Sequence, residues 1–232
     1  MPNKSVEPKE NNPVKAAVNV DVLADHYQKT FEVAYEYWKE RNRQFVILVL
    51  TAVIGLLMIQ RGALVNELLV KYIVKYFALT DQTLIGEISR AIPFNLLLSG
   101  VLVTMFYFMQ RLYSTNLSVM RNYLYLGALE EEIRKHLGLP VGSVSFTREG
   151  SFYWGQRAPM QSMSKYYYVI VLFIILIPFI VFKLIADFQS PSVIVIPVDV
   201  AVSLMAVLYW WEYARSSFRL DVPKIPAEQP KK

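Results

Sequence analysis

The chain has 232 residues, of which 54% are hydrophobic, 14% aromatic and only 19% charged, and its formal net charge is +5. Soluble domains usually contain about 45–50% apolar and about 25% charged residues, so this composition argues against a soluble protein. The chain contains no cysteine, which excludes disulfides and thiolate metal sites. Membrane topology explains the basic residues better than nucleic-acid binding does, and we expect no nucleic-acid partner.

The apolar residues collect in four blocks, which we predict to be transmembrane helices at 45–60, 93–110, 166–186 and 193–213. A helix needs roughly 20 mostly apolar residues to cross a bilayer, and roughly 17–25 are tolerated. The third block meets this length, whereas the others lie near its lower edge. The sequence therefore predicts an all-α polytopic membrane protein with four spans.

Lysine and arginine are unevenly divided between the two predicted sides of the membrane. Nineteen of the 24 fall in the N-terminal segment, the connection between spans two and three, and the C-terminal tail. Basic residues are retained in the cytoplasm, so both termini are predicted to be cytoplasmic, in a bacterial inner membrane by default. Residues 1–18 are polar and predict a disordered tail rather than a signal peptide, and 214–232 form a second tail.

Spans one and two are predicted to continue into the cytoplasm as helices, over 19–44 and 111–139. In the first, Tyr27, Phe31, Tyr35 and Trp38 recur at spacings that place them on one helix face. We expect these aromatic side chains to pack within the bundle or between protomers, with an aromatic ligand-binding box as the alternative. Glycine and proline end the second helix, at positions 138 and 140.

The segment 140–165 is predicted to contain a small cytoplasmic β-hairpin, because apolar and polar residues alternate around a reversal at Glu149-Gly150. We expect its aromatic residues either to cap the helices or to contact lipid headgroups or a partner. The candidate cytoplasmic interaction surface combines these residues with the helix stripe: Tyr27, Phe31, Tyr35, Trp38, Phe146, Phe152 and Trp154. The outer connection at 61–92 is predicted to hold an amphipathic helix, and 187–192 form the outer turn.

Polar side chains within the predicted spans are candidates either for hydrogen bonds between helices or for the lining of a pore. These candidate pore or interhelical polar residues are Asn95, Ser99, Thr104, Lys183, Asp199 and Ser203. Small and hydroxyl residues four apart let helices approach closely, so helix packing is the favoured interpretation. A polar path for an ion or solute is the alternative.

Asp199 lies in the apolar run SVIVIPVDVAVSLMAVLYWW, where an ionised carboxylate needs a specific reason. Ionisation within a membrane costs roughly 2–3 kcal/mol on insertion scales. Pro197 favours a first helical turn, which would place Asp199 beside the positive end of a helix. Lys183 lies near the outer end of span three, at a level that differs from Asp199 by roughly 5 Å. We therefore predict an ion pair that joins spans three and four.

No motif in the chain indicates catalysis, a cofactor or a metal site. His26 and His136 lack the spacing of a metal-binding helix, and the nine glycines form no phosphate-binding loop. Glu130–Glu132 is interpreted as a solvated helix face. We therefore do not expect an enzyme.

The segment HYQKTFEVAYEYWKERNRQFVILVL, residues 26–50, resembles the basic, aromatic juxtamembrane helix of SLATT-type bacterial defence proteins, which leads into a membrane hairpin. The four predicted spans differ from the two-span SLATT arrangement, so no residue roles are transferred. The expected function is a homo-oligomeric membrane channel or pore-forming effector, gated through its cytoplasmic helices by a cytosolic protein. The alternative is a non-conducting scaffold or partner-recruiting subunit. A solute transporter is least supported, because the chain lacks repeated halves.

Overall fold

The computed structural model describes residues 13–78, 94–140, 159–189 and 195–218, with side chains from residue 20 in the first range and from 166 in the third. The described residues form helices and no β-strand. The helices are α1 (Pro13–Gln60), α2 (Gly62–Tyr76), α3 (Phe94–His136), α4 (Pro159–Phe188) and α5 (Ile196–Phe218). The predicted β-hairpin falls almost wholly on residues 141–158, outside the described residues, and the described part gives it no support.

Three helical segments are long and apolar enough to cross a membrane: Val20–Gln60, Phe94–His136 and Tyr166–Phe188. The predicted all-helical, membrane-compatible architecture is confirmed to this extent. The fourth predicted span corresponds to α5, which is not among the three. Its 23 residues include Asp199, Glu212 and Arg215 as well as two tryptophans, and these lower its hydropathy.

The long helices α1 and α3 are each uninterrupted, as predicted from the continuation of spans one and two. The end of α3 follows the predicted signals, since Gly138 has a φ of +60°, in the left-handed region that favours glycine. The amide of Gly138 donates to the carbonyl of Lys135, and that of Leu139 donates to the carbonyl of Arg134, both over 3.2 Å. These bonds satisfy carbonyls that the helix end leaves free.

A seam of buried residues runs along α3, with spacings that alternate between three and four except for one step of seven, from Val119 to Leu126. Its members are Leu98, Leu102, Met105, Met109, Leu112, Asn116, Val119, Leu126, Glu130 and Ile133. This seven-residue repeat is the pattern of a coiled-coil seam. Two of its positions are polar, Asn116 and Glu130, and each has a partner on α1.

The described chain divides into two compact units. Unit 1 lies within Met1–Trp38 and Ser118–Ala158, and unit 2 lies within Lys39–Leu117 and Pro159–Lys232. In unit 1, the Tyr27 hydroxyl donates to Glu130 Oε1 over 2.8 Å. Glu130 is only 3% exposed, so its predicted position on a solvated face is wrong. The cause is its position in the α3 seam, whereas Glu131 is more exposed and pairs with neighbouring basic residues.

In unit 2, α1 and α3 are antiparallel, since Arg41 bonds to Asn116 while Gly55, farther along α1, lies against Val101. The helices α4 and α5 are also antiparallel and pack against this pair. The core of unit 2 contains buried aliphatic and aromatic side chains from four helices: Phe45, Leu48, Ala52, Leu102, Met105, Leu112, Leu172, Leu176, Phe179 and Ala206.

Candidate functional site

The candidate site is a group of buried charges in unit 2, between the last turns of α4 and the first turn of α5. Lys183 Nζ lies 2.6 Å from Asp199 Oδ2, so the ion pair predicted from the sequence is present. The same ammonium also contacts Asp187 Oδ1. The side chains of Lys183 and Asp199 are fully buried, and that of Asp187 is 2% exposed. We call Lys183, Asp187, Asp199 and Ser99 the ion-pair cluster.

Local helix geometry positions the charged members of the cluster. Lys183 and Asp187 are four residues apart on α4, so their side chains share a face. Asp199 occupies the first turn of α5, where the positive end of the helix favours a carboxylate. Its own amide already donates to the carbonyl of Val195 over 3.0 Å, so the helix ladder includes this residue.

Ser99 connects α3 to the cluster. Its hydroxyl oxygen lies 2.6 Å from Asp199 Oδ2 and 2.9 Å from the carbonyl oxygen of Asn95. A serine hydroxyl has a single hydrogen, so Ser99 donates to one of these oxygens at a time. Three helices, α3, α4 and α5, therefore meet at Asp199.

The positive and negative charges of the cluster are unequal in number. It contains one ammonium and two carboxyl groups, which gives a formal charge of −1 when all three are ionised. Three buried oxygens have no hydrogen-bond partner among the described residues: Asp187 Oδ2, Asp199 Oδ1 and Ser203 Oγ. Burial of an ion costs several kcal/mol unless partners compensate for lost water.

A cavity of about 450 Å³ adjoins this end of unit 2. Its lining residues are Ile59, Gly62, Ala63, Asn66, Phe94, Asn95, Leu98 and Ala186. Leu98 and Ala186 are the chain neighbours of Ser99 and Asp187, but no member of the ion-pair cluster lines the cavity. Asn66 Oδ1 is buried and has no partner among the described residues, and it adds a polar group near this wall.

The structure separates the other predicted pore residues. Asn95 is partly exposed and lines the cavity, whereas Ser203 is 4% exposed and follows Asp199 by one helical turn. Thr104 is exposed and donates to the carbonyl of Gly100 over 2.8 Å, so it takes no part in the cluster.

The predicted cytoplasmic interaction surface is also divided. Tyr27 and Phe31 are partly buried in unit 1, whereas Tyr35 and Trp38 are exposed and stack on each other with ring centroids 5.9 Å apart. The single aromatic face expected from the spacing therefore serves two purposes, packing and exposure. The remaining members, Phe146, Phe152 and Trp154, lie outside the described residues.

A second polar layer, absent from the sequence predictions, lies farther along the helices of unit 2. Thr115 donates to Gln44 Oε1 over 3.0 Å, and Arg41 Nη1 donates to Asn116 Oδ1 over 3.4 Å. The Arg41 guanidinium also lies 5.6 Å from the centroid of the Tyr168 ring. We call these five residues the polar belt. The sequence alone does not indicate the polar belt, because a polar residue of one helix is buried only if another helix packs against it.

The predicted outer turn at 187–192 is wrong for Asp187, which lies in the last turn of α4. Its spacing of four residues from Lys183 was the sequence feature that could have shown this. The chemistry available to the ion-pair cluster is charge pairing, proton exchange and the binding of a small cation. The described residues contain no group of three His, Cys, Asp or Glu side chains that could hold a metal ion.

No protein-family model, curated protein or solved structure matches the chain.

Proposed function

We propose that the chain is a non-conducting polytopic membrane scaffold that recruits a cytosolic protein. One observation carries this proposal: Ser99, Lys183 and Asp199, which a polar pore would need, bond to one another inside a single chain. A side chain that lines a conduit has to face water, whereas all three are buried. These residues therefore favour a role in holding helices together.

The proposal includes α5 as a fourth membrane-crossing helix. At one end of the α4–α5 pair, Lys183 contacts Asp199; at the other, Tyr166 stacks on Phe218 with ring centroids 5.2 Å apart. From residue 166 to residue 183, α4 rises roughly 25 Å, at about 1.5 Å per residue. Because α5 accompanies α4 over this length, a membrane that α4 crosses is also crossed by α5.

We infer the orientation in the membrane from the distribution of charge and from aromatic side chains. With both termini cytoplasmic, the polar belt lies toward the inner face, and the exposed Tyr35–Trp38 pair lies where aromatic rings contact headgroups. Unit 1 is then cytoplasmic. It exposes apolar side chains on both of its helices, among them Val33 and Leu124, which are 49% and 50% exposed. We assign these exposed residues to the binding of a cytosolic protein.

Single cysteines test the four-span topology, because the natural chain contains none. We expect a membrane-impermeant maleimide to label Gln189→Cys in intact cells, and to label Phe218→Cys only after the membrane is permeabilised. Both side chains are exposed, so their reactivity reports the side of the membrane. The cysteine-free chain gives the background. Equal labelling of both positions in intact cells would show that α5 does not cross.

A channel is the second candidate, favoured by the cavity of about 450 Å³ with Asn66 and Asn95 in its wall. Proteoliposomes that contain the purified chain distinguish the two functions. A scaffold gives no flux of K⁺, Na⁺ or Cl⁻ above that of empty liposomes. Flux that is lost in Asn95→Leu but retained in Thr104→Val would establish a channel and refute the scaffold, since Thr104 is exposed outside the cavity.

A further inference from the structure

We propose that the ion-pair cluster is a binding site for one monovalent cation, H⁺ or Na⁺, held by the free carboxylate oxygens of Asp187 and Asp199. The inference goes beyond the scaffold function and does not depend on it. Both possible ligands share one chemistry, a single positive charge that neutralises a buried carboxylate.

The charge count is the first argument. Within hydrogen-bond distance, Lys183 supplies the cluster's positive charge, and two carboxylates face it from α4 and α5. The third helix that contacts a carboxylate here, α3, contributes an uncharged group, the Ser99 hydroxyl. No further charged side chain among the described residues pairs with this group. One additional positive charge makes the buried cluster neutral, which removes the cost of an uncompensated ion.

The position of the free oxygens is the second argument. Each carboxylate uses one oxygen to contact Lys183 and leaves the other without a partner among the described residues. A cation on the free oxygens therefore does not displace the ammonium. Ser203 Oγ is also buried without a partner, and it lies one helical turn beyond Asp199. A hydroxyl accepts a hydrogen bond or coordinates a cation through its lone pairs.

Binding of H⁺ transfers a proton from hydronium in the solvent to one carboxylate, which leaves water and a neutral carboxylic acid. No other bond breaks. Binding of Na⁺ leaves both carboxylates ionised and replaces part of the ion's water shell by their oxygens.

Infrared spectroscopy of the full chain in nanodiscs at neutral pH tests the proton. The expected result is a carbonyl band of a protonated carboxylic acid in the wild type, shifted by exchange into D₂O and lost in Asp187→Asn or Asp199→Asn. The matched control is Glu67→Gln. Glu67 pairs with Lys71 at the same spacing of four residues as Asp187 with Lys183, but its side chain is 62% exposed. This control should leave the band unchanged.

Thermal unfolding tests Na⁺. The expected result for this ion is a higher unfolding midpoint in NaCl than in N-methylglucamine chloride of equal ionic strength, with the difference lost in Asp187→Asn. A band without a sodium effect assigns the site to H⁺, and a sodium effect without a band assigns it to Na⁺. If the wild type shows neither, the proposal is wrong. The wild-type measurements alone decide this point, even if an Asn variant fails to fold.

Discussion

Replacement of Lys183 by methionine is expected to destabilise the protein by roughly 3–5 kcal/mol, the usual effect of breaking a buried ion pair from one side. Methionine keeps much of the length of the side chain but leaves Asp187 and Asp199 without their shared ammonium. Two uncompensated carboxyl groups would then lie side by side in the core. The measurement is the thermal unfolding midpoint in a mild detergent or in nanodiscs.

The matched control is Lys71→Met on α2. Lys71 also pairs with a carboxylate four residues away, Glu67, with a nitrogen–oxygen distance of 2.7 Å, but the two side chains are 69% and 62% exposed. Exposed pairs contribute about 0–1 kcal/mol, so this variant should unfold close to the wild type. Asp187→Asn and Asp199→Asn, added to Lys183→Met, should restore most of the lost stability. An unchanged midpoint in Lys183→Met would show that the cluster does not clamp the helices.

Alanine at Gly55 is expected to destabilise unit 2 by about 1–3 kcal/mol, as overpacked cores usually are. A Cβ atom at this position would lie 2.5 Å from Phe179 Cε2 and 3.1 Å from Val101 Cγ1. Phe179 is fully buried, so its ring cannot move without displacing other core side chains. Gly55 of α1 therefore lies in close contact with side chains of both α3 and α4.

Gly100→Ala is the control for this prediction, because no heavy atom lies within 4 Å of a Cβ built at Gly100. Alanine is favoured over glycine in a helix interior by about 0.5–1 kcal/mol, so this variant should be neutral or slightly stabilised. Both changes are compared by thermal unfolding under identical conditions. Equal effects at the two glycines would contradict the close packing of Gly55 against Phe179.

The sequence was sufficient for features that depend on a single helix or on one short connection. The end of α3 followed from Gly138, and the continuation of α1 ahead of span one followed from the absence of glycine and proline over residues 21–44. The Lys183–Asp199 pair could also be predicted, because a short turn between two antiparallel helices sets both residues at nearly the same level. Each of these inferences needs only helix geometry and local charge.

Features that depend on the choice of neighbouring helix could not be predicted in this way. Glu130 lies in a run of three glutamates, and only its contact with Tyr27 of α1 explains its burial. The aromatic spacing correctly placed Tyr27 and Tyr35 on one helix, but it could not show that one packs inward and the other is exposed. Whether a polar side chain is buried depends on which other helix packs against it, so the pattern of residues within one helix cannot predict it.

The seven-residue repeat of α3 would allow this helix to pack against α1 in several shifted alignments, and the polar positions of the repeat favour one of them. Two helices with regular apolar seams pack almost as well after a shift of one repeat, about 10 Å at 1.5 Å per residue. In unit 2, Asn116 meets Arg41 in only one of these alignments, and a shifted alignment would lose the hydrogen bond between them. A polar side chain within a seam is a known means of selecting one alignment. Asn116 thus favours one alignment of α1 with α3 over the shifted ones.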